Sequence, residues 1–238
     1  MMEYIMQAVI LAAGKGTRLA PLTEQLPKPL IPVCGTPILI RLLTSLPEEI
    51  TEIIIVVGHK GDIIRSTIGV LYGNRNITYV EQGAMHGTYG ALLSAKPFIT
   101  SPHFLVMGAD DIQDREALKK MTQQDLAFGV HNKILPQKEY LIVDIHEDIV
   151  RGMRRPTEIE FEQPQPMATG IYLFDQTIWN YEPSEYKDGE YGIPQTIRPM
   201  LLDHDFKAIE MPEWVQINSH EDLAYAEQVL TNNALPLQ

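Results

Sequence analysis

Along the first half of the chain, apolar runs of four to six residues alternate with segments of helical period. That is the pattern of an α/β protein built on a sheet. Ala8–Leu11 predicts a first strand, Ile53–Val57 a second that Gly58 ends, Ile77–Val80 a third and Phe104–Met107 a fourth. Between them, Pro37–Leu46, Asp62–Ile68 and Tyr89–Lys96 predict helices. Pro37 falls in a first turn, where a missing N–H leaves no helical bond unmade. Arg115–Gln123 and Leu126–Val130 repeat the helix-then-strand order.

After about residue 130 the rhythm changes. Tyr140–Ile145, Glu158–Glu162 and Gly170–Phe174 predict strands joined by loops instead of helical crossovers. Ile193–Leu202 predicts one helix, with Pro194 tolerated in its first turn. Trp214–Ile217 predicts a last strand, and Ser219 caps a closing helix with Asp222 at capping-box spacing. There is no internal repeat and no low-complexity tract. Residues 1 to about 130 read as a nucleotide-type βαβ array, and about 131–238 as a part that completes a pocket.

Composition narrows the picture without changing it. The 238 residues suit one large domain, and a chain of that size buries a core without staples. Nineteen Lys and Arg face 31 acidic residues, a formal net charge of −12. That sign argues against nucleic-acid and acidic-membrane partners, so a phosphate-bearing ligand needs a local cationic or backbone site. Cys34 is the only cysteine, which fits a reducing compartment. The start Met-Met-Glu-Tyr-Ile-Met lacks the basic residues of a signal peptide, and apolar stretches such as Ile53–Val57 are far too short to span a bilayer. A cytoplasmic protein is expected.

Such an anion site is written at Leu11-Ala-Ala-Gly-Lys-Gly-Thr-Arg-Leu, followed by Pro27-Lys28-Pro29. Small residues at a strand end let the backbone approach a ligand and present N–H groups to phosphate oxygens. Arg18 adds a planar fork and Lys28 a mobile point charge. Two commoner glycine-rich loops do not match. Lys15 lies between the glycines, where a P-loop needs Gly-Lys-Ser/Thr after four residues, and Leu19 occupies the third glycine of a dinucleotide fingerprint.

The string resembles the signature of the sugar-1-phosphate nucleotidyltransferases, the nucleoside-diphosphate-sugar pyrophosphorylases such as glucose-1-phosphate thymidylyl- and uridylyltransferases. The resemblance covers nearly the whole chain. It implies a single Rossmann-like, three-layer α/β domain with a mixed central sheet and a nucleotide pocket at the strand ends. It places Leu11, Ala12, Ala13 and Gly14 along the nucleoside, Gly16, Thr17 and Arg18 on the triphosphate, and Lys28 near the α-phosphate. Glu81-Gln82 followed by Gly87-Thr88 matches the base-reading segment. A glutamine amide both donates and accepts, so Gln82 can pair with the O4/N3–H edge of uracil or thymine. Phe104-Leu-Val-Met-Gly-Ala-Asp110 ends in the aspartate that, by resemblance, holds Mg²⁺. A hard oxygen at a strand end suits that ion. Asp111 reads as a residue of a solvated acidic turn.

On the acceptor side Glu162, Gln163, Gly170 and Arg198 match the sugar and phosphate contacts by position. Three residues depart from the family pattern: Gln163 replaces a lysine, Gln216 a second metal-binding aspartate, and Leu141 a glycine of the sugar pocket. The resemblance implies a nucleoside triphosphate (UTP or dTTP) and a sugar 1-phosphate as partners, Mg²⁺ as cofactor, and pyrophosphate as the other product. It is compatible with a homo-oligomer. A cytidylyltransferase-type relative using another phosphorylated acceptor and a catalytically impaired nucleotide-binding protein fit the same residues. The scattered histidines form no zinc motif, and no Gly-x-Ser-x-Gly elbow occurs.

Overall fold

The computed structural model describes residues 6–134 and 140–233. Among these, ten strands form one sheet: β1 (Met6–Ala12), β2 (Ile50–Val57), β3 (Leu71–Tyr72), β4 (Arg75–Glu81), β5 (His103–Gly108), β6 (Ala127–Lys133), β7 (Ile142–His146), β8 (Ile149–Arg154), β9 (Gln165–Asp175) and β10 (Phe206–Glu210). Their order is β7-β8-β10-β6-β9-β5-β1-β2-β4-β3. β5, β1, β2 and β4 run parallel, whereas β9 is antiparallel to both β5 and β6. The sheet is therefore mixed, as expected. The strands beyond residue 130 join the same sheet as those before it.

Strand alternation feeds two cores. Ala8, Ile10, Ile53 and Ile55 enter one face, and Val9, Ile54, Val56 and Val106 the other. Buried on both faces, these strands read as continuous apolar runs. Helices α1 (Ile38–Ser45), α2 (Gly61–Ile68) and α4 (Arg115–Met121) cover the first face through Leu39, Leu42, Ile64 and Leu118. The second is covered by α3 (Gly87–Ala95) through Tyr89 and Leu92, and by two one-turn helices. The result is the expected three-layer architecture. A third, smaller core joins Leu19, Ile31, Val33, Ile112, Val215 and Ile217 to α5 (His220–Asn233).

Four expectations need correction. Glu158–Glu162 is a 3₁₀ turn, not a strand. Thr157 and Glu160 form a capping box there, and Arg154 grips Glu160 at 2.6 and 2.9 Å. Ile193–Leu202 is two one-turn helices, Ile193–Thr196 and Met200–Asp203, because Pro199 cannot donate to a continuous helix. Trp214–Ile217 reduces to a two-residue pairing in which Val215 meets Ile112 and Gln216 meets Asp111. The strand placed at Tyr140–Ile145 is Ile142–His146. The closing helix starts as its sequence implies: Asp222 N–H donates to Ser219 Oγ, while Asp222 Oδ2 accepts from the N–H groups of Asn218 and Ser219.

Candidate active site

Parallel pairing brings three strand ends together: Ala12 lies opposite Val57, and Leu11 opposite Gly108. The Ala109 N–H donates to Leu11 O at 3.1 Å, which carries Asp110 to the edge of the loop that leaves β1. In that loop Gly16 has φ +62°, and a Cβ there would stand 2.9 Å from Lys28 Cβ. Glycine is thus what lets Lys28 pass against the loop. Ala13 is not among the residues lining the cleft and packs beside Gly58, where a Cβ would come within 3.1 Å of it.

The resulting cleft has a volume of about 220 Å³ and is lined by Leu11, Ala12, Gly14, Gly16, Thr17 and Arg18 on one side, and by Lys28, Asp110 and Asn218 on another. Arg18 is exposed at its mouth. Lys28 is buried, and its Nζ donates to Asp110 Oδ2 at 2.6 Å and to Asn218 Oδ1 at 2.9 Å. Asp110 Oδ1 lies over Gly108, whose missing Cβ would approach it to 2.5 Å. Asn218 had no signal in the sequence reading; its position two residues after Gln216, on the same side of an extended segment, is the clue.

Asp111 is also a correction. It is buried, not solvated, and its Oδ2 accepts from Trp214 Nε1 at 3.2 Å. Burial, reinforced by the neighbouring Asp110 charge, pushes its pKa well above the usual carboxylate range, against the opposing pull of Lys28. Tyr140 donates its hydroxyl to Gln216 Oε1 at 2.6 Å, and burial raises its pKa as well.

Gln82 stands one strand further along: its N–H donates to Val57 O at 2.8 Å. Its side-chain Nε2 donates to Met85 O at 3.1 Å and to Gly87 O at 3.2 Å. Both contacts are carbonyls, so the nitrogen must face them and Oε1 is what remains for a ligand. Gly87, at φ +87°, abuts Tyr191, and Thr88 Oγ1 accepts from the Ile193 N–H at 2.9 Å. Glu162, Gln163, Gly170 and Arg198 are exposed and lie outside the cleft lining. Gly170, at φ +77°, sits in the bulged stretch of β9, and Arg198 between the two one-turn helices.

The glycine-lined cleft thus lies at the ends of parallel strands, with the Lys28–Asp110 pair at its side. Residues 7–233 match the family model described as nucleotidyl transferase. The chain belongs to that family. It is 32% identical over 239 residues to a UTP–glucose-1-phosphate uridylyltransferase of Haloferax volcanii, covering 94% of this chain and 96% of that one. It is 31% identical over 235 residues to the bifunctional protein GlmU of Methanococcus aeolicus, covering 96% of this chain and 55% of that one. The chain thus spans about half the length of several curated relatives it matches. The fold of a UDP-glucose pyrophosphorylase solved with UDP-glucose superposes with a TM-score of 0.81 at 20% identity, over 96% of this chain and 99% of that one. No helix among the described residues is long and apolar enough to cross a membrane.

Proposed function

We propose that this cleft joins a nucleoside triphosphate to a sugar 1-phosphate, giving a nucleotide sugar and pyrophosphate. The observation that carries the reading is the convergence of the Gly14–Arg18 loop, Lys28 and Asp110 on one small anion-sized cleft. An acceptor phosphate oxygen attacks the α-phosphorus, a new P–O bond forms, and the bond to the β-phosphate oxygen breaks. The nucleophile is already an anion, so no covalent enzyme intermediate is required. The chain's task is positioning and charge compensation: Arg18 and the loop N–H groups hold the departing pyrophosphate, and Lys28 offsets charge near the α-phosphate.

Asp110 fits a divalent ion as its one protein carboxylate. Mg²⁺ commonly takes one or two carboxylates and completes its shell with substrate phosphates and water. Lys28 holds Asp110 Oδ2, which leaves Oδ1 as the oxygen for such an ion. When bound, the ion would supply charge neutralisation between the two reacting phosphates.

The base choice rests on Gln82. With both amide hydrogens directed to Met85 and Gly87, Oε1 is left to accept from the base, and the first N–H groups of a helix such as α3 have no intrahelical acceptor and can donate. An imide edge, N–H beside C=O, answers both, so UTP or dTTP is favoured. Glu162, Gln163, Gly170 and Arg198 are proposed for the acceptor.

A pyrophosphate-release assay over the common triphosphates and a panel of sugar 1-phosphates tests this. The expected result is metal-dependent release with UTP or dTTP, lost in D110N. In R18A, triphosphate binding should weaken by about 2 kcal/mol, the scale of a charge-assisted contact. Tight nucleotide binding without release from any pair would replace the enzyme with a binding protein.

A further inference from the structure

Beside the Lys28–Asp110 pair, the orientations of two side-chain amides follow from their partners. Lysine carries only donors, so the Asn218 atom 2.9 Å from Lys28 Nζ must be Oδ1. Asn218 Nδ2 is then the free end of that amide. The Tyr140 hydroxyl donates to Gln216 Oε1, 2.6 Å away. That fixes the last amide: Gln216 presents Nε2 and its two hydrogens outward.

Backbone alternation gives the direction of that outward end. Val215 and Ile217 are buried in the third core, so Gln216 and Asn218 share the opposite side, where Asn218 lines the cleft. Gln216 pairs with Asp111, next to Asp110. Gln216 thus borders the cleft beside Asp110 and Asn218, which line it. Among the described residues no acceptor pairs with Gln216 Nε2.

We propose that the Tyr140 hydroxyl holds Gln216 as a fixed hydrogen-bond donor to a phosphate oxygen at the cleft, so that Gln216 binds the anion directly instead of helping to hold a metal ion. A side-chain oxygen committed to a tyrosine proton is not free to coordinate a cation, whereas an amide N–H directed at a phosphate adds a contact that needs no metal. Tyr140 is a positioning residue, since it acts through Gln216. The proposal rests on the reading of the cleft as a phosphate site.

The test uses inorganic tripolyphosphate, a base-free probe, in EDTA, with binding followed by calorimetry and by the side-chain amide signals of ¹⁵N-labelled protein. Q216E keeps the shape and removes the donors; it should weaken probe binding about tenfold or more. Y140F should weaken it by about threefold to tenfold, by the same amount with and without Mg²⁺. In the wild type the Gln216 amide pair, identified by its absence in Q216E, should shift on probe addition, and that shift should shrink in Y140F with the rest of the spectrum unchanged. Probe affinity within twofold of wild type in Q216E, or an unmoved Gln216 signal, overturns the proposal even if nucleotidyl transfer proceeds. Gln216-dependent probe binding in a chain that transfers no nucleotide would instead uphold this inference and remove the proposed function.

Discussion

At Asp111, desolvation decides which protonation state the fold prefers. The unfolded carboxyl titrates at about 3.9, whereas burial beside Asp110 keeps the folded one protonated to higher pH. The native state therefore binds more protons between those two points, and stability falls as pH rises through that window. Lys28 recovers part of the loss, but its Nζ is already committed to Asp110 and Asn218. D111N keeps an acceptor for Trp214 Nε1 and removes the titration. Its melting temperature should equal or trail that of the wild type near pH 4 and gain on it steadily toward pH 8. Thermal melts across that range check this, and two parallel curves would show that Asp111 is ionised in the native protein. In sequence, a pair of aspartates after a strand looks like a common solvated turn; only the indole of Trp214, 103 residues on, reveals the burial.

Among the elements, the start of α3 shows how a single backbone approach joins two distant segments. Tyr191 N–H donates to His86 O at 2.9 Å, and the Tyr191 carbonyl would stand 2.4 Å from a Cβ on Gly87. Backbone cannot yield as a side chain can. G87A therefore combines a left-handed φ with a clash, whereas G189A, at φ +80° with open space around it, carries the conformational cost alone. We expect about 1 kcal/mol for G189A and at least about 2 kcal/mol more for G87A, read from urea unfolding midpoints. Equal costs would mean that the 185–191 hairpin moves aside freely. The same element scale shows what the hydrophobic pattern could convey. β1, β2, β5 and the first part of β6 are legible because both faces are buried and the run itself is the signal, whereas β4 buries only Ile77 and Val80. β8 (Ile-Val-Arg-Gly-Met-Arg) and β10 (Phe-Lys-Ala-Ile-Glu) carry charges and are short. They become strands because neighbours offer backbone partners, which no local pattern encodes. The candidate site divides the same way. Residues of the β1 loop and Asp110 were legible because they are local strings at strand ends, while Asn218 and Tyr140 enter only through long-range hydrogen bonds.

Over the whole molecule, a net charge of −12 surrounds the cleft proposed for an anion. Few cations remain to act at a distance: Lys28 is neutralised by Asp110 at 2.6 Å, leaving Lys15 and Arg18 exposed on the loop. A free triphosphate approaching from beyond one Debye length meets the global field first, and that field repels it. Contact with the loop comes later and is screened far less. The two stages should separate kinetically. Between about 0.01 M and about 0.1 M salt the Debye length shrinks from about 30 Å to about 10 Å, so the association rate constant for UTP in EDTA should hold steady or rise, opposite to the fall seen when a site is electrostatically steered. Arg18, a contact residue, should act mainly on dissociation, so R18A should leave that salt profile in place and raise the off-rate. Stopped-flow binding at several salt concentrations decides it. A tenfold fall in on-rate over that range would mean that the loop cations, not the acidic surface, set the field at the mouth of the cleft.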